Sequence, residues 1–268
     1  MKLAPLLIIP LLVLFSLGGK KPDHNARHTP TPTPRATATP TAGPTEITGT
    51  FSNPNGHCIL VSSQAHVWIH DAIIGPCDGS GIKVLNSTDV SIENVQILHA
   101  KVSISIVTSD HVSVRGGRLI DPQGPKPEGQ QIIANGSSFV TIDGVYTEFT
   151  GGGFQEDAIN FYRSTDSIIK NSTIVGGGSP TGCGIVLDDG AQRITVANNH
   201  ISWQTNCGIG VANGVGHYVD HNDVRYTGQN YYAWNQYAGP CSVTFVNNTG
   251  DDIPGFWNGG GCTVMGQW

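Results

Sequence analysis

The stretch GIVLDDG at residues 184–190 sets two carboxylates, Asp188 and Asp189, side by side. Paired aspartates serve proton transfer at glycosidic bonds, one as acid and one as base or nucleophile. A second stretch, AINFYR at 158–163, supplies Asn160, Tyr162 and Arg163: an amide that can orient a hydroxyl, a phenol that can exchange a proton, and a guanidinium suited to anions. The candidate catalytic residues are therefore Asn160, Tyr162 and Asp188. Candidate substrate-binding residues are Arg163, His200, Tyr231 and Trp234, the last two in a platform with Tyr232 whose aromatic faces suit sugar rings. His217 and His221 with Asp220 and Asp223 form a loosely spaced alternative for a cation. No Cys-x-x-Cys or His-x-x-x-His cluster occurs, so no metal site is assigned.

Which of these residues can meet depends on how the chain repeats. Seven segments align on an isoleucine at 59, 82, 104, 132, 159, 185 and 209, in steps of 23, 22, 28, 27, 26 and 24 residues. A period near 25 marks a solenoid. Apolar residues alternate over three to five positions, as in Val90-Ser91-Ile92 and Ile194-Thr195-Val196, which is strand periodicity rather than helical. Asn86, Asn94, Gly116, Gly136, Gly144, Asn171, Asn199 and Asn222 punctuate the runs, and these residue types tolerate the left-handed backbone of sharp bends. Three short strands per turn give an all-β parallel β-helix of seven to eight rungs, rising ~4.8 Å per rung.

Register then predicts contacts. Ile185 and Leu187 point inward, so Asp188 points outward above Tyr162, while Asp189 enters the bend and pairs with Arg163. The opening aspartates diverge. Asp157 of the GGGFQEDAIN stretch is no partner for Asp188: along an extended strand the two stand ~17 Å apart, too far for a glycosidase pair. Glu93, Arg115, Asp143 and Lys170 form an outward ladder of alternating charge, and His200 lies in series with Gln96, Arg118, Tyr146, Thr173 and Asp223. Long bends at 150–157, 176–182 and 225–240 overhang Asn160, Tyr162 and Asp188 and shape an elongated groove suited to a linear polymer.

Lys2 and an apolar run from Leu3 to Leu17 form a signal peptide, placed at residues 1–20,; an uncleaved anchor is the alternative. Residues 21–47 contain HTPTPTPRATATPTAGPT, an extended Thr/Pro-rich disordered linker,, and 48–268 form the folded domain. Five of the 14 Lys and Arg and two of the 20 acids precede residue 48, leaving 9 basic and 18 acidic groups and a formal charge of −9 on the folded part. Such a surface repels nucleic acid, and a Ca²⁺ ion could bridge it to a polyanionic sugar chain. No other cofactor is indicated. Six cysteines in an exported chain imply three disulfides. Cys183, Cys207 and Cys241 each stand two residues before a repeat-start apolar residue and so share a column. One-rung spacing pairs Cys183 with Cys207, leaving Cys241 with Cys262 and Cys58 with Cys77.

The rung pattern, apolar-x-apolar, then Asn or Ser at the bend, then VxIxN, resembles the right-handed parallel β-helix repeats of the pectin-lyase-like superfamily over residues 57 to about 250. The resemblance implies a right-handed coil and a place among polysaccharide lyases, glycoside hydrolases, epimerases and non-catalytic surface proteins. Of the Asn-Thr-Asp, Asp-Asp, His-Gly and Arg-Ile-Lys signatures of polygalacturonases, this chain has Asp188-Asp189, and Arg193-Ile194-Thr195 lacks the lysine. VWIHD at Val67 to Asp71 approaches the Val-Trp-Ile-Asp-His stretch of pectate lyases with its last two residues transposed, and Trp68 is read as core or cap packing. Three of the five tryptophans, Trp234, Trp257 and Trp268, fall in the last 35 residues, as a C-terminal cap requires. The expectation is a secreted or surface-tethered monomer that binds or cleaves an extracellular polysaccharide, as lyase or hydrolase, the alternative being a non-catalytic binding or structural module.

Overall fold

The isoleucines of the repeat stack one above another. In the computed structural model, which describes residues 43–251 and 256–267, Ile59 pairs with Ile82, and Ile104, Ile132, Ile159, Ile185 and Ile209 follow in continuous register. All seven are buried. Each rung contributes an apolar side chain directly over the last, so the core is a column of branched aliphatics with little room for a void. The chain is an all-β parallel solenoid, and no helix among the described residues is long and apolar enough to cross a membrane.

Three strand columns run along the stack. The first includes Ile132–Asn135, Ile159–Tyr162, Cys183–Asp188, Cys207–Val211, Gln229–Trp234 and Phe256–Gly260. The second includes Asp110–Arg115, Thr141–Asp143, Ile168–Lys170 and Thr195–Ala197. The third includes Arg118–Ile120, Tyr146–Glu148, Thr173–Gly177, His200–Gln204 and Asp223–Arg225. The solenoid has about nine turns rather than seven or eight, because the rungs after Ile209 continue the isoleucine column with Tyr231 and Phe256. Aromatic rings at these positions carry no isoleucine marker in the sequence.

Left-handed backbone at the corners is supplied by Asn86, Asn94 and Asn171 and by Gly116, Gly136 and Gly144, as expected. Asn199 and Asn222 do something else. Asn198 and His221 take the left-handed conformation, and the next residues turn inward: Ser172 N donates to Asn199 Oδ1 (3.0 Å), Asn199 N to Asn222 Oδ1 (3.0 Å) and Asn222 N to Asn248 Oδ1 (3.0 Å). This buried ladder pairs backbone donors that the corner leaves without a strand partner.

Strand Thr45–Asn53 pairs in parallel with Ala65–Leu85 and covers that end of the described solenoid. Trp68 lies on this face, stacked on His70 at 3.8 Å and donating to Glu93, which is cap packing. The signal peptide and most of the linker expected over 1–47 lie outside the described residues. Disulfides Cys58–Cys77, Cys183–Cys207 and Cys241–Cys262 are formed as inferred. Cys241, however, does not share the column of Cys183 and Cys207: Cys183 faces Cys207 and then Gln229 in the first column, whereas Cys241 faces Gly214 in the second. Its tie to Cys262 is a separate C-terminal staple.

Candidate functional site

The outward positions of the first column line a cleft of about 1040 Å³ that reaches from His57 and Lys83 to Trp257. One wall is built from segments that leave the coil: 121–131, 149–158 and 178–182, with 235–240 closing above. Three of these segments match the bends expected from sequence; 121–131 was not anticipated. Lys126 ties the wall together, reaching Glu156 Oε1 at 2.9 Å and Thr181 Oγ1 at 2.9 Å. Burial works to raise the Glu156 carboxyl, but hydrogen bonds from Ser179, Lys126 and Thr181 outweigh it and hold the group below the ordinary carboxylate range. Glu156 is structural cement for the wall.

The cleft floor changes character along its length. At the N-terminal end stand Lys83, Ser105 and Asn135 with Lys101, Lys126 and His57 beside them; three of the four lysines of the folded part line this cleft. At the C-terminal end Tyr232, Trp234 and Trp257 form an aromatic shelf, with Tyr232–Trp257 centroids 5.9 Å apart and Trp234–Trp257 6.1 Å apart in an edge-on arrangement. Gly210 makes that shelf possible. It occupies the floor position beneath Tyr232, and a Cβ there would lie 2.2 Å from Tyr232 Cε1, so only glycine lets the ring fold down over the rung.

Between the two ends lies the acidic centre. Asn160, Tyr162 and Asp188 all face the cleft, and Tyr162 sits in register with Asp188 as predicted. The side-by-side aspartates part company. Asp189 goes to the rim, where its Oδ2 accepts from Arg163 Nε at 2.6 Å. Interaction with the Tyr162 hydroxyl and then with Arg163 holds its carboxyl below the usual range, against a weaker effect of burial. Asp188 is half-buried in the cleft, and burial pushes it upward against stabilising interactions from Tyr237, the Asp189 N–H and Asn160. One peptide bond separates two carboxyls shifted in opposite directions.

Asp157 corrects the sequence reading. It lies ahead of strand Ile159–Tyr162 rather than in it, and the turn brings its Oδ2 to 2.9 Å from Asn160 Nδ2 while Oδ1 accepts from Cys183 N at 2.9 Å. Asn160 thus interacts with both Asp157 and Asp188, and the charge of Asp188 adds to the cost of ionising Asp157. The ~17 Å estimate assumed extended backbone at ~3.3 Å per residue, which the turn breaks. Burial pushes the Asp157 carboxyl up to about 7, opposed by its two hydrogen bonds and reinforced by Glu156 and Asp188. Asn160 is itself buried at 6% exposure, and its Oδ1 has no hydrogen-bond partner. That oxygen is closed off from solvent beneath the cleft floor, a buried acceptor left without a partner,.

The remaining candidates scatter. Trp234 joins the shelf, but Tyr231 is 3% exposed and points into the core, its hydroxyl donating to the carbonyls of Asn222 and Thr249. Strand alternation gives the outward place to Tyr232. Arg163 lies at the rim over the Tyr162 ring, 4.8 Å from its centroid. His200 is on the third column beside Asp223 at 3.1 Å, away from the cleft lining. The four residues weighed as a cation site also separate: His217 is buried against Asn213 O at 3.1 Å, His221 pairs with Asp220 at 2.7 Å, and Asp223 binds Arg225 at 2.9 Å. Among the described residues no three His, Cys, Asp or Glu side chains group as metal ligands. Sequence reading missed Asp157, Tyr237 and the lysine arm, and only the ED of GGGFQEDAIN hinted at the first.

No protein-family model matches the chain, and no curated protein matches it. Solved structures do. The fold is similar to that of an alginate lyase from Paenibacillus sp. str. FPU-7, at 14% identity and a TM-score of 0.66 over 82% of this chain and 80% of that one. It is also similar to PfbA, a surface adhesin of Streptococcus pneumoniae, at 13% identity and a TM-score of 0.53 over 76% of this chain and 70% of that one. At these identities the likeness is one of fold: a polysaccharide-cleaving enzyme and an adhesin share it with this chain.

Proposed function

We propose that the chain, a parallel β-helix similar in fold to an alginate lyase and a surface adhesin, binds a linear extracellular polysaccharide along the cleft and cleaves it at the centre formed by Asn160, Tyr162 and Asp188. The observation that carries this reading is the place of Asp188: a half-buried carboxyl set along an open cleft between Tyr162 and the Tyr237 segment, with Asn160 beside it and its proton affinity raised by burial. Carboxyls whose pKa is lifted toward neutrality are suited to give and take protons.

Each residue has a distinct part. Asp188 exchanges the proton at the scissile unit. Asn160 stands beside Asp188, its amide nitrogen fixed by Asp157, a positioning residue almost closed off from solvent. Tyr162 is held toward the rim by Asp189 and Arg163 and borders the scissile unit. Its hydroxyl has a raised pKa through its interaction with Asp189, which keeps it protonated, as a hydrogen-bond donor rather than a base. The aromatic shelf binds ring faces on one side of the cut, and the lysine arm binds polar or anionic groups on the other. Nine rungs at ~4.8 Å give a floor of ~38 Å, enough for an extended oligosaccharide. The three disulfides and the expected leader fit an exported, surface-tethered protein.

Incubation with pectate, alginate and neutral glucans tests the reading, with absorbance at 235 nm reporting elimination and new reducing ends reporting hydrolysis. Either product, lost in Asp188→Asn, supports cleavage here. An unchanged rate in that variant removes Asp188 from the site. Retention on a glycan with no product of either kind makes the protein a binding module, for which the aromatic shelf alone suffices.

A further inference from the structure

Away from the cleft, Trp203 and Tyr226 stand on the corner that follows the third strand column. Ser202 pairs with Arg225, so these two residues occupy the same place in successive rungs. Both have left-handed backbone, with φ of 62° and 56°. At equivalent corners earlier in the stack the chain places His99, Asp121, Phe149 and then Gly176, which faces Trp203 one rung below; of these His99, Asp121 and Gly176 are left-handed. Left-handed geometry favours Gly, Asn and Asp and penalises bulky side chains. Here it carries the two largest aromatic types.

They repay none of that cost to the core. Trp203 is 61% exposed and Tyr226 57% exposed, and their rings stack at 4.5 Å with planes 18° apart. Gly176 leaves the outer indole face with no side chain from the rung below. Polar groups border the pair on one side: Arg225 interacts with Tyr226 and binds Asp223 at 2.9 Å, Asp223 joins His200 at 3.1 Å, and Asp251 accepts from the Tyr226 backbone.

We propose that the Trp203–Tyr226 stack is a second carbohydrate-binding site, on which the C–H face of a sugar ring lies against the indole while rim groups take its hydroxyls. The size of the patch selects this occupant. Two rings of ~150–250 Å² each, both partly covered, fall well short of the ~800 Å² per partner of a stable protein interface. The flanking carboxylates disfavour an anionic membrane surface. A flat apolar face the width of one ring, bordered by donors and acceptors, matches a pyranose. The site would hold a polymer against the outside of the rod while another stretch of it occupies the cleft, raising the local concentration of chain. This rests on the ligand being a polysaccharide but not on cleavage at Asp188.

The test compares the full chain with Trp203→Asn/Tyr226→Asn, since asparagine suits the left-handed backbone and keeps the fold intact, and with Trp203→Phe. Affinity gel electrophoresis on the same glycans reads binding; thermal unfolding checks folding. The asparagine double variant is expected to lose at least about fivefold in polymer affinity, a change of ~1 kcal/mol. Its melting temperature should be equal or higher, its action on short oligosaccharides should stay within about twofold, and Trp203→Phe should keep most of the binding. Native-like retention of the double variant, with retention lost in a Tyr232→Ala/Trp257→Ala cleft variant, overturns the second site and leaves the cleft reading standing. Failure of the native protein to be retained on any glycan overturns both.

Discussion

The first and second strand columns are made by the same repeat, yet their outward side chains live in different worlds. On the second, Glu93, Arg115, Asp143 and Lys170 face one another in alternating sign, with Lys170 and Asp143 paired at 3.4 Å on an open face. On the first, Asn160, Tyr162 and Asp188 lie under walls contributed by three inserted segments and a closing one. The difference lies in what leaves the coil between strands. Insertions lengthen the steps at 104–132, 132–159 and 159–185 to 28, 27 and 26 residues, and each surplus becomes wall. A carboxylate in water is inert; the same group half-desolvated beside another acid becomes a proton-transfer site.

The comparison breaks if equal changes on the two columns have equal effects. Asp188→Asn should reduce glycan cleavage by about 10²–10⁴-fold, the usual contribution of a proton-transfer group, whereas Asp143→Asn should leave the rate within about twofold. Gly210→Ala comes next. Its Cβ meets the Tyr232 ring, displaces the shelf and should weaken oligosaccharide binding by about tenfold, or ~1.4 kcal/mol, with the Asp188 chemistry intact; titration calorimetry checks it.

A smaller effect concerns pH. Asp157 binds its proton more tightly folded than unfolded, with a folded pKa of about 7 against an ordinary value near 4. Between those values the folded state holds the extra proton, so stability declines as pH rises from about 4 to about 7. Urea midpoints should fall across that window in the native protein and fall less in Asp157→Asn, which keeps a neutral group there at every pH. The smallest change belongs to the second column: Lys170→Ala should shift stability by no more than about 0.5–1 kcal/mol, and added salt should erase the difference.

Much of this was legible in the chain. Isoleucine spacing predicts the stack, because a parallel coil must place equivalent residues over one another, and it correctly puts Asp188 above Tyr162 and Asp189 beside Arg163. It likewise pairs Cys183 with Cys207 from one-rung separation. The failures occur where the period lapses. Tyr231 turns inward because an aromatic can occupy an isoleucine's place, and Asp157 approaches Asn160 because a segment outside the strand follows no register.

The sequence by itself determined the coil, its pitch, its charge ladders and the outward direction of Asn160, Tyr162 and Asp188, since all follow from short-range alternation repeated at a near-constant interval. Only the tertiary structure decided that Asp157 and Tyr237 join them, that lysines and aromatics gather at opposite ends of one cleft, and that Trp203 stacks on Tyr226 outside it. These are contacts made by segments between strands, whose paths are set by packing against distant rungs rather than by their own pattern.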